Sequence, residues 1–236
     1  MKRLADTALT LCLAALACGG AAWPEERSLD LAGITLVDIS GAASTIRLET
    51  SQSGPQQATV GNRWDGWFSG WYSSWFFDDC GAMTRMRIEG SRLMIEAPPA
   101  SWFDRSDCTA DIRATLPPGT AVSIAQSATQ ARLSGDFSAV TIESKAADID
   151  LRGHADDVSV RGDALRVNLV YDRTDKDEVV RLDGRLIEAD LDFGGVPAID
   201  YAVEAKASWV THTPELVPGA RPLLRIKGDL VHATVR

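Results

Sequence analysis

The chain has 236 residues, 45% of them apolar, which is enough for one substantial domain or two small ones with a real core and excludes disorder as its overall state. Its formal net charge of -9 argues against a nucleic-acid or anionic-lipid binder, and no Lys/Arg cluster along the sequence contradicts that.

The first residues, MKRLADTALTLCLAALACGGAAW, have a basic start at Lys2 and Arg3, an apolar run from Ala8 to Cys18, and small residues Gly20 and Ala22 before Trp23. This predicts a secretory signal peptide over residues 1–22, too short and wrongly followed for a stable transmembrane span. Cleavage after Ala22 removes Lys2, Arg3 and Asp6, leaving a domain over 23–236 at net charge -10. A second reading makes Cys18 a lipidated first residue, although Leu16 stands where a lipoprotein signal prefers a small residue. The expected location is the periplasm or cell envelope; the alternative is a membrane-anchored lipoprotein held through Cys18.

Between Leu29 and Glu49 the pieces Ile34-Thr35-Leu36 and Ile46-Arg47-Leu48 alternate near Gly33, Gly41 and Ser44, which predicts short strands joined by tight turns. Gln52 to Gln57, with Gly54 and Pro55, reads as a turn. Residues 62–80, NRWDGWFSGWYSSWFFDDC, then form an aromatic-rich insertion. Trp67, Trp71 and Trp75 fall on one helical line and Phe68, Tyr72 and Phe76 on the next, while Gly66 and Gly70 weaken a helix and leave a loop or strand pair open. These rings either cover an end or side of the core, or stand exposed to a glycan, a lipid interface or a protein. In the second case Trp64, Trp67, Phe68, Trp71, Tyr72, Trp75 and Phe76 are the candidate ligand or partner contacts.

Strand patterns resume at Arg85 to Ile88 and Leu93 to Glu96, stop at Pro98-Pro99, and return at Ile112, Ala114 and Leu116. In the mature chain Cys80 and Cys108 are the only thiols, an even number in an oxidising compartment, which predicts one disulfide tying the aromatic segment to the next strand.

From Ala131 the chain beats in nines. Ala131/Leu133, Val140/Ile142, Ile149/Leu151, Val158/Val160 and Val167/Leu169 each enclose a polar residue, so alternation places the apolar members on one face. Gly135, Ser144, Gly153 and Gly162 recur in register as turn residues small enough for one coil to lie on the next. The charged stretch Tyr171 to Glu178 interrupts the beat, which resumes at Val180/Leu182 and Ala189/Leu191, as an insertion at the edge of a solenoid would allow. Ile199, Tyr201 and Val203 continue the shifted phase. The last strand patterns, at Leu224/Ile226 and Val231/Ala233/Val235, are expected to cover the open end of the core.

The pattern predicts an all-β, single-domain parallel β-helix, or β-solenoid, with short rungs, most regular over 131–193. The lead-in DIRATLPPGTAVSIAQS at Asp111 to Ser127 and the repeat ARLSGDFSAVTIESKAADIDLRGHADDVSVRGDALRVNL at Ala131 to Leu169 resemble the bacterial adhesin-like β-solenoid domains of auto-transporter adhesin or head-domain type. The resemblance implies a right-handed β-helix, exported or membrane-attached. It supplies no catalytic residues.

Recognisable chemistry is sparse. His154 at a turn edge reads as solvent-facing, His212 and His232 are isolated, and no nucleophile elbow, phosphate-cradling loop or zinc arrangement occurs. Asp148, Asp150, Asp156 and Asp157 could line up for Ca2+, but the calcium-binding repeat is absent and solvated charge is the better reading. The expectation is a non-catalytic structural or protein-interaction module with no cofactor and no metal, whose partner is an envelope protein or glycan. A glycan-binding protein using the aromatic patch and a polysaccharide-active enzyme on a β-helix are the alternatives.

Overall fold

A chain that repeats apolar-polar-apolar triplets can bury all of them only by winding so that each lands on an earlier one. The computed structural model describes residues 28–64, 84–97, 108–175 and 177–236. Among these, eleven strands follow in order: β1 (Ser28–Asp30), β2 (Leu36–Thr50), β3 (Gln57–Trp64), β4 (Arg85–Glu89), β5 (Arg92–Glu96), β6 (Cys108–Leu116), β7 (Thr120–Tyr171), β8 (Val179–Asp192), β9 (Ala198–His212), β10 (Glu215–Leu216) and β11 (Leu223–Val235). Pairing is parallel except for β1 with β3, β3 with β6 and β4 with β5. The architecture is all-β and mostly parallel, of β-solenoid type, and no helix among the described residues is long and apolar enough to cross a membrane.

Strand β7 bends around corners for 52 residues and stacks on itself. Gln130 meets Asp148, and Asp150 meets Asn168, each pair 18 residues apart, so two nine-residue units complete a coil. Successive units therefore lie on opposite faces. Val122/Ile124, Val140/Ile142 and Val158/Val160 line one, Ala131/Leu133, Ile149/Leu151 and Val167/Leu169 the other, all at 1% exposure or less. In β2, Val37/Ile39 and Ile46/Leu48 join the two rows through pairing with Val122/Ile124 and Ala131/Leu133. Of the expected alternating pair Ile34/Leu36, Ile34 is buried at 3% exposure ahead of the strand, beside a turn over Ala32-Gly33 that its N–H closes by donating to the Leu31 carbonyl at 3.0 Å, while Leu36 is only half-buried.

The corners form two columns where a single register was expected, because consecutive units turn at opposite ends of the coil. Thr50, Gly135 and Gly153 stack at one end; Gln126, Ser144, Gly162, Gly184 and Gly228 stack at the other. The excursion 171–178 lengthens one coil by four residues, so that Val158 pairs with Val180 and the stack continues undisturbed.

The last strand is clasped inside the stack, and so is β2, whereas β1 lies at the edge of the sheet, paired only with β3. Strand β2 lies between the β5/β6 rung and the first coil of β7, and β11 lies between β8 and β9. The last strand is therefore interior, with Leu224, Ile226, Val231, Ala233 and Val235 at 1% exposure or less. The edge falls instead to β9, where Trp209 is 73% exposed. The loop that carries the chain back from β9 to β11 is tied by Asp200, which accepts from Arg225 at 3.0 Å and from the Gly219 N–H at 2.9 Å; these contacts hold its carboxyl below the usual carboxylate range.

Candidate functional site

An insertion can leave a solenoid only where a coil turns, because strand interiors have their edges paired. Here β3 ends at Trp64 opposite Cys108, and β4 begins at Arg85 opposite Glu96, which in turn pairs with Ser40. The Ala97 N–H donates to the Ser40 carbonyl at 2.8 Å, and Ala110 of β6 pairs with Ser44. Segments 65–83 and 98–107 are thus both anchored around one corner of β2, Ser40 to Ser44. Trp67, Phe68, Trp71, Tyr72, Trp75, Phe76, Cys80 and Cys18 lie outside the described residues, and Trp64 and Cys108 are placed by backbone alone.

The same corner opens onto an apolar row. Ala43 pairs with Ala128; Ala146 and Ala164 follow at the coil period; Ala164 pairs with Leu186 and Leu186 with Leu230. This row lines a groove of about 810 Å³, and Leu186 and Leu230 are each 53% exposed. A continuous exposed apolar row of this kind is characteristic of contact surfaces.

The excursion 171–178 builds a second polar feature. His154 is buried at 3% exposure, contrary to its expected solvent-facing position, because Glu178, 1% exposed, folds back onto it with Oε1 3.3 Å from Nε2. The Asp175 N–H also donates to that Glu178 oxygen. Arg173 closes the other side, 3.4 Å from His154 Nδ1, 2.6 Å from Asp136 and 3.3 Å from Asp175. Beneath, the Tyr171 ring lies 5.8 Å from the His154 ring and meets Phe193 edge-on at 5.4 Å, while its hydroxyl donates to the Ala155 carbonyl at 3.0 Å. An acid–base pair enclosed to this degree offers a substrate no approach; its geometry fastens the excursion to the coil.

Burial, with the nearby Glu178 carboxylate second, pushes the Tyr171 phenol above its ordinary pKa of 10.0. A folded-state pKa above the unfolded value means that this contribution is intact below about pH 10 and is lost as pH rises through the folded value. Tyr171→Phe is therefore expected to cost about 1 kcal/mol near neutrality through the lost hydrogen bond and to flatten the alkaline fall in stability. Urea unfolding of both proteins between neutral and strongly alkaline pH checks this; an unchanged alkaline slope would assign it to other groups.

His212 and His232 do not meet by register, since His232 pairs with Trp209 and His212 with Val235. Acidic positions are drawn into pairs along and across the rungs: Asp150 accepts from Arg152 two residues on and from Asn168 one coil away, and Asp157 accepts from Arg181 on the next coil. Among the described residues no group of three or more His, Cys, Asp or Glu is placed to hold a metal ion.

No protein-family model and no curated protein matches the chain. Among solved structures it is similar to a candidate cell adhesion protein from Clostridium sporogenes ATCC 15579, at 9% identity and TM-score 0.42, covering 90% of this chain and 99% of that one. It is also similar to a candidate adhesin from Bacteroides fragilis NCTC 9343, at 11% identity and TM-score 0.47, covering 89% and 94%. A candidate adhesin from Parabacteroides distasonis ATCC 8503 is similar at 11% identity and TM-score 0.30, covering 88% and 95%.

Proposed function

We propose that the chain is an exported, non-catalytic module of the cell envelope that works by adhesin-like contact with another envelope component. Its principal contact is the aromatic segment 62–80, with Trp64, Trp67, Phe68, Trp71, Tyr72, Trp75 and Phe76 as the contacting rings and a Cys80–Cys108 disulfide as its staple. The observation that carries this reading is the common anchorage of both insertions at the Ser40–Ser44 corner, where the exposed apolar row from Ala43 to Leu230 begins. Rings delivered to the head of an apolar row enlarge one contact surface, whereas scattered rings would each be an isolated exposure. Export through residues 1–22 places that surface in the periplasm or envelope; lipidation at Cys18 would tether it to a membrane. A polysaccharide-cleaving role is the weaker reading, since such enzymes flank the scissile bond with two accessible carboxyl groups and the buried His154–Glu178 pair is closed.

The test is acrylamide quenching of the mature protein and of single Trp-to-Phe variants at 64, 67, 71 and 75. Trp209 is exposed in the edge strand and contributes a quenchable background, so each position is read as the difference its substitution makes. Strong quenching at two or more of the four positions is expected. Rings shielded throughout would make the segment a cover for the core and remove it as a contact surface.

A further inference from the structure

Residues in register on neighbouring parallel strands stand about 4.8 Å apart with their side chains stacked, so a like-charge row costs stability unless something compensates it. Arg47 of β2 pairs with Arg113 of β6 on one side and with Arg132 of β7 on the other, which makes three consecutive arginines in one outward row. The fold itself does not require this, because the same row carries Thr59 beyond Arg113 and continues to Asp150 and Asn168 beyond Arg132.

One carboxylate joins two members of the row from the position beside them, in register with Thr45. Asp111, with its side chain 10% exposed, accepts from Arg47 Nη1 at 3.2 Å and from Arg113 Nη2 at 2.8 Å, aiming both guanidinium groups along the surface. Arg132 is exposed and, among the described residues, has no hydrogen-bond or ion-pair partner. Arg152 stands one coil from Ser134 and pairs with Asp150 at 3.2 Å. Together the four arginines edge a groove of about 620 Å³ whose wall also carries Gln57 and Thr59 and two carboxylates, Glu49 and Asp150, the latter paired with Arg152.

We propose that this row binds a linear acidic glycan, with the guanidinium forks engaging carboxylate or phosphate oxygens and the neutral Gln57 and Thr59 side chains facing sugar hydroxyls. Guanidinium matches either oxyanion through paired N–H donors, and the orienting Asp111 pre-sets two of the three. The short row on a chain of net charge -9 suits a sparsely charged saccharide; a densely charged nucleic acid would meet a repulsive overall field. The location of such a ligand rests on the envelope reading above, but the site is separate from the aromatic segment, and its test involves no tryptophan.

Binding of the full mature chain is measured at low and moderate salt against hyaluronan, which carries one carboxylate per disaccharide, and phosphomannan, which carries phosphates, with neutral dextran and single-stranded DNA alongside. Saturable, salt-weakened binding to at least one acidic glycan is expected, with the stronger of the two identifying the anion. Arg132→Glu is expected to weaken it about tenfold or more without lowering the thermal midpoint, because Arg132 supports no described contact and the change relieves the repulsion with Arg47. Arg161→Glu, an equal charge change elsewhere on the solenoid, is expected to have little effect. Absence of binding to both acidic glycans, equal weakening by Arg161→Glu, or equal binding of dextran would overturn the site. Tighter binding of single-stranded DNA would overturn the glycan assignment.

Discussion

Removal of residues 223–236 is expected to abolish cooperative folding. In a solenoid whose rungs stack in chain order, losing the last strand costs one interface and leaves a shorter stack. Here β11 is the middle of three strands, pairing with β8 through Leu223–Val235 and with β9 over the same length. Its loss takes away the burial of Leu224, Ile226, Val231 and Val235, all at 1% exposure or less, and uncovers Val180, Leu182 and Leu191 below. At about 1.5–3 kcal/mol for each large apolar side chain, the four removed residues alone represent roughly 6–12 kcal/mol. That is comparable to the whole stability of an ordinary domain, about 5–15 kcal/mol. Circular dichroism and a thermal scan of the truncated chain should show no sharp transition. A folded, cooperatively melting product would mean that β9 can close directly onto β8 and that the clasp is dispensable.

Gly153→Ala is expected to produce a large loss from a single added methyl group. Gly153 has φ +120°, where an L side chain is strained, and an added Cβ would overlap the carbonyl oxygen of Gly135 one coil away. The obstacle is backbone in the neighbouring rung, so it cannot rotate aside; relief requires the coils to separate. Backbone strain of about 1–3 kcal/mol and overpacking of similar size give a total of roughly 3–5 kcal/mol. For a domain of this length that corresponds to a fall in thermal midpoint of about 6–20 °C. Gly61→Ala provides the contrast: its φ is ordinary and the nearest atom to an added Cβ is the Asp111 carbonyl oxygen at 3.9 Å, so the change should stay within about 0.5 kcal/mol. Equal midpoints for the two variants would show that the glycine column does not set the coil spacing.

The legible part of the fold was the part carried by local pattern. Each triplet such as Ile149-Asp150-Leu151 states its own inward and outward faces, and equal spacing states that consecutive units do the same thing, so a stacked β architecture follows without any long-range information. The pattern does not state how many units close a coil. A nine-residue beat fits one, two or three per circuit equally well, and the division of Gly135 and Ser144 between two corner columns appears only once the period of eighteen is known. Nor does it state spatial order: β11 has the same alternation whether it ends the stack or is inserted between β8 and β9.

The polar features were less legible, for different reasons. His154 sits in a polar neighbourhood, HADD, and is buried only because an excursion ending 24 residues later returns Glu178 to it. The arginine row left a usable signal that charge counting overlooked: Ile46-Arg47-Leu48, Ile112-Arg113-Ala114 and Ala131-Arg132-Leu133 each place arginine at the centre of an apolar triplet. Comparing central residues between triplets would have pointed to a common row, although the neighbour relation itself needed the register. The aromatic segment was conspicuous from composition, and the described strands add where it is anchored.

By itself, then, the sequence determined that this protein is an all-β stack with an alternating core and an aromatic insertion, because face and repeat are properties of adjacent residues. Tertiary structure decided the eighteen-residue coil, the clasped last strand, the enclosure of His154 and the alignment of Arg47, Arg113 and Arg132. Those depend on which distant rungs become neighbours, and that choice is made by closing one continuous core, to which any short stretch of sequence contributes only a single layer.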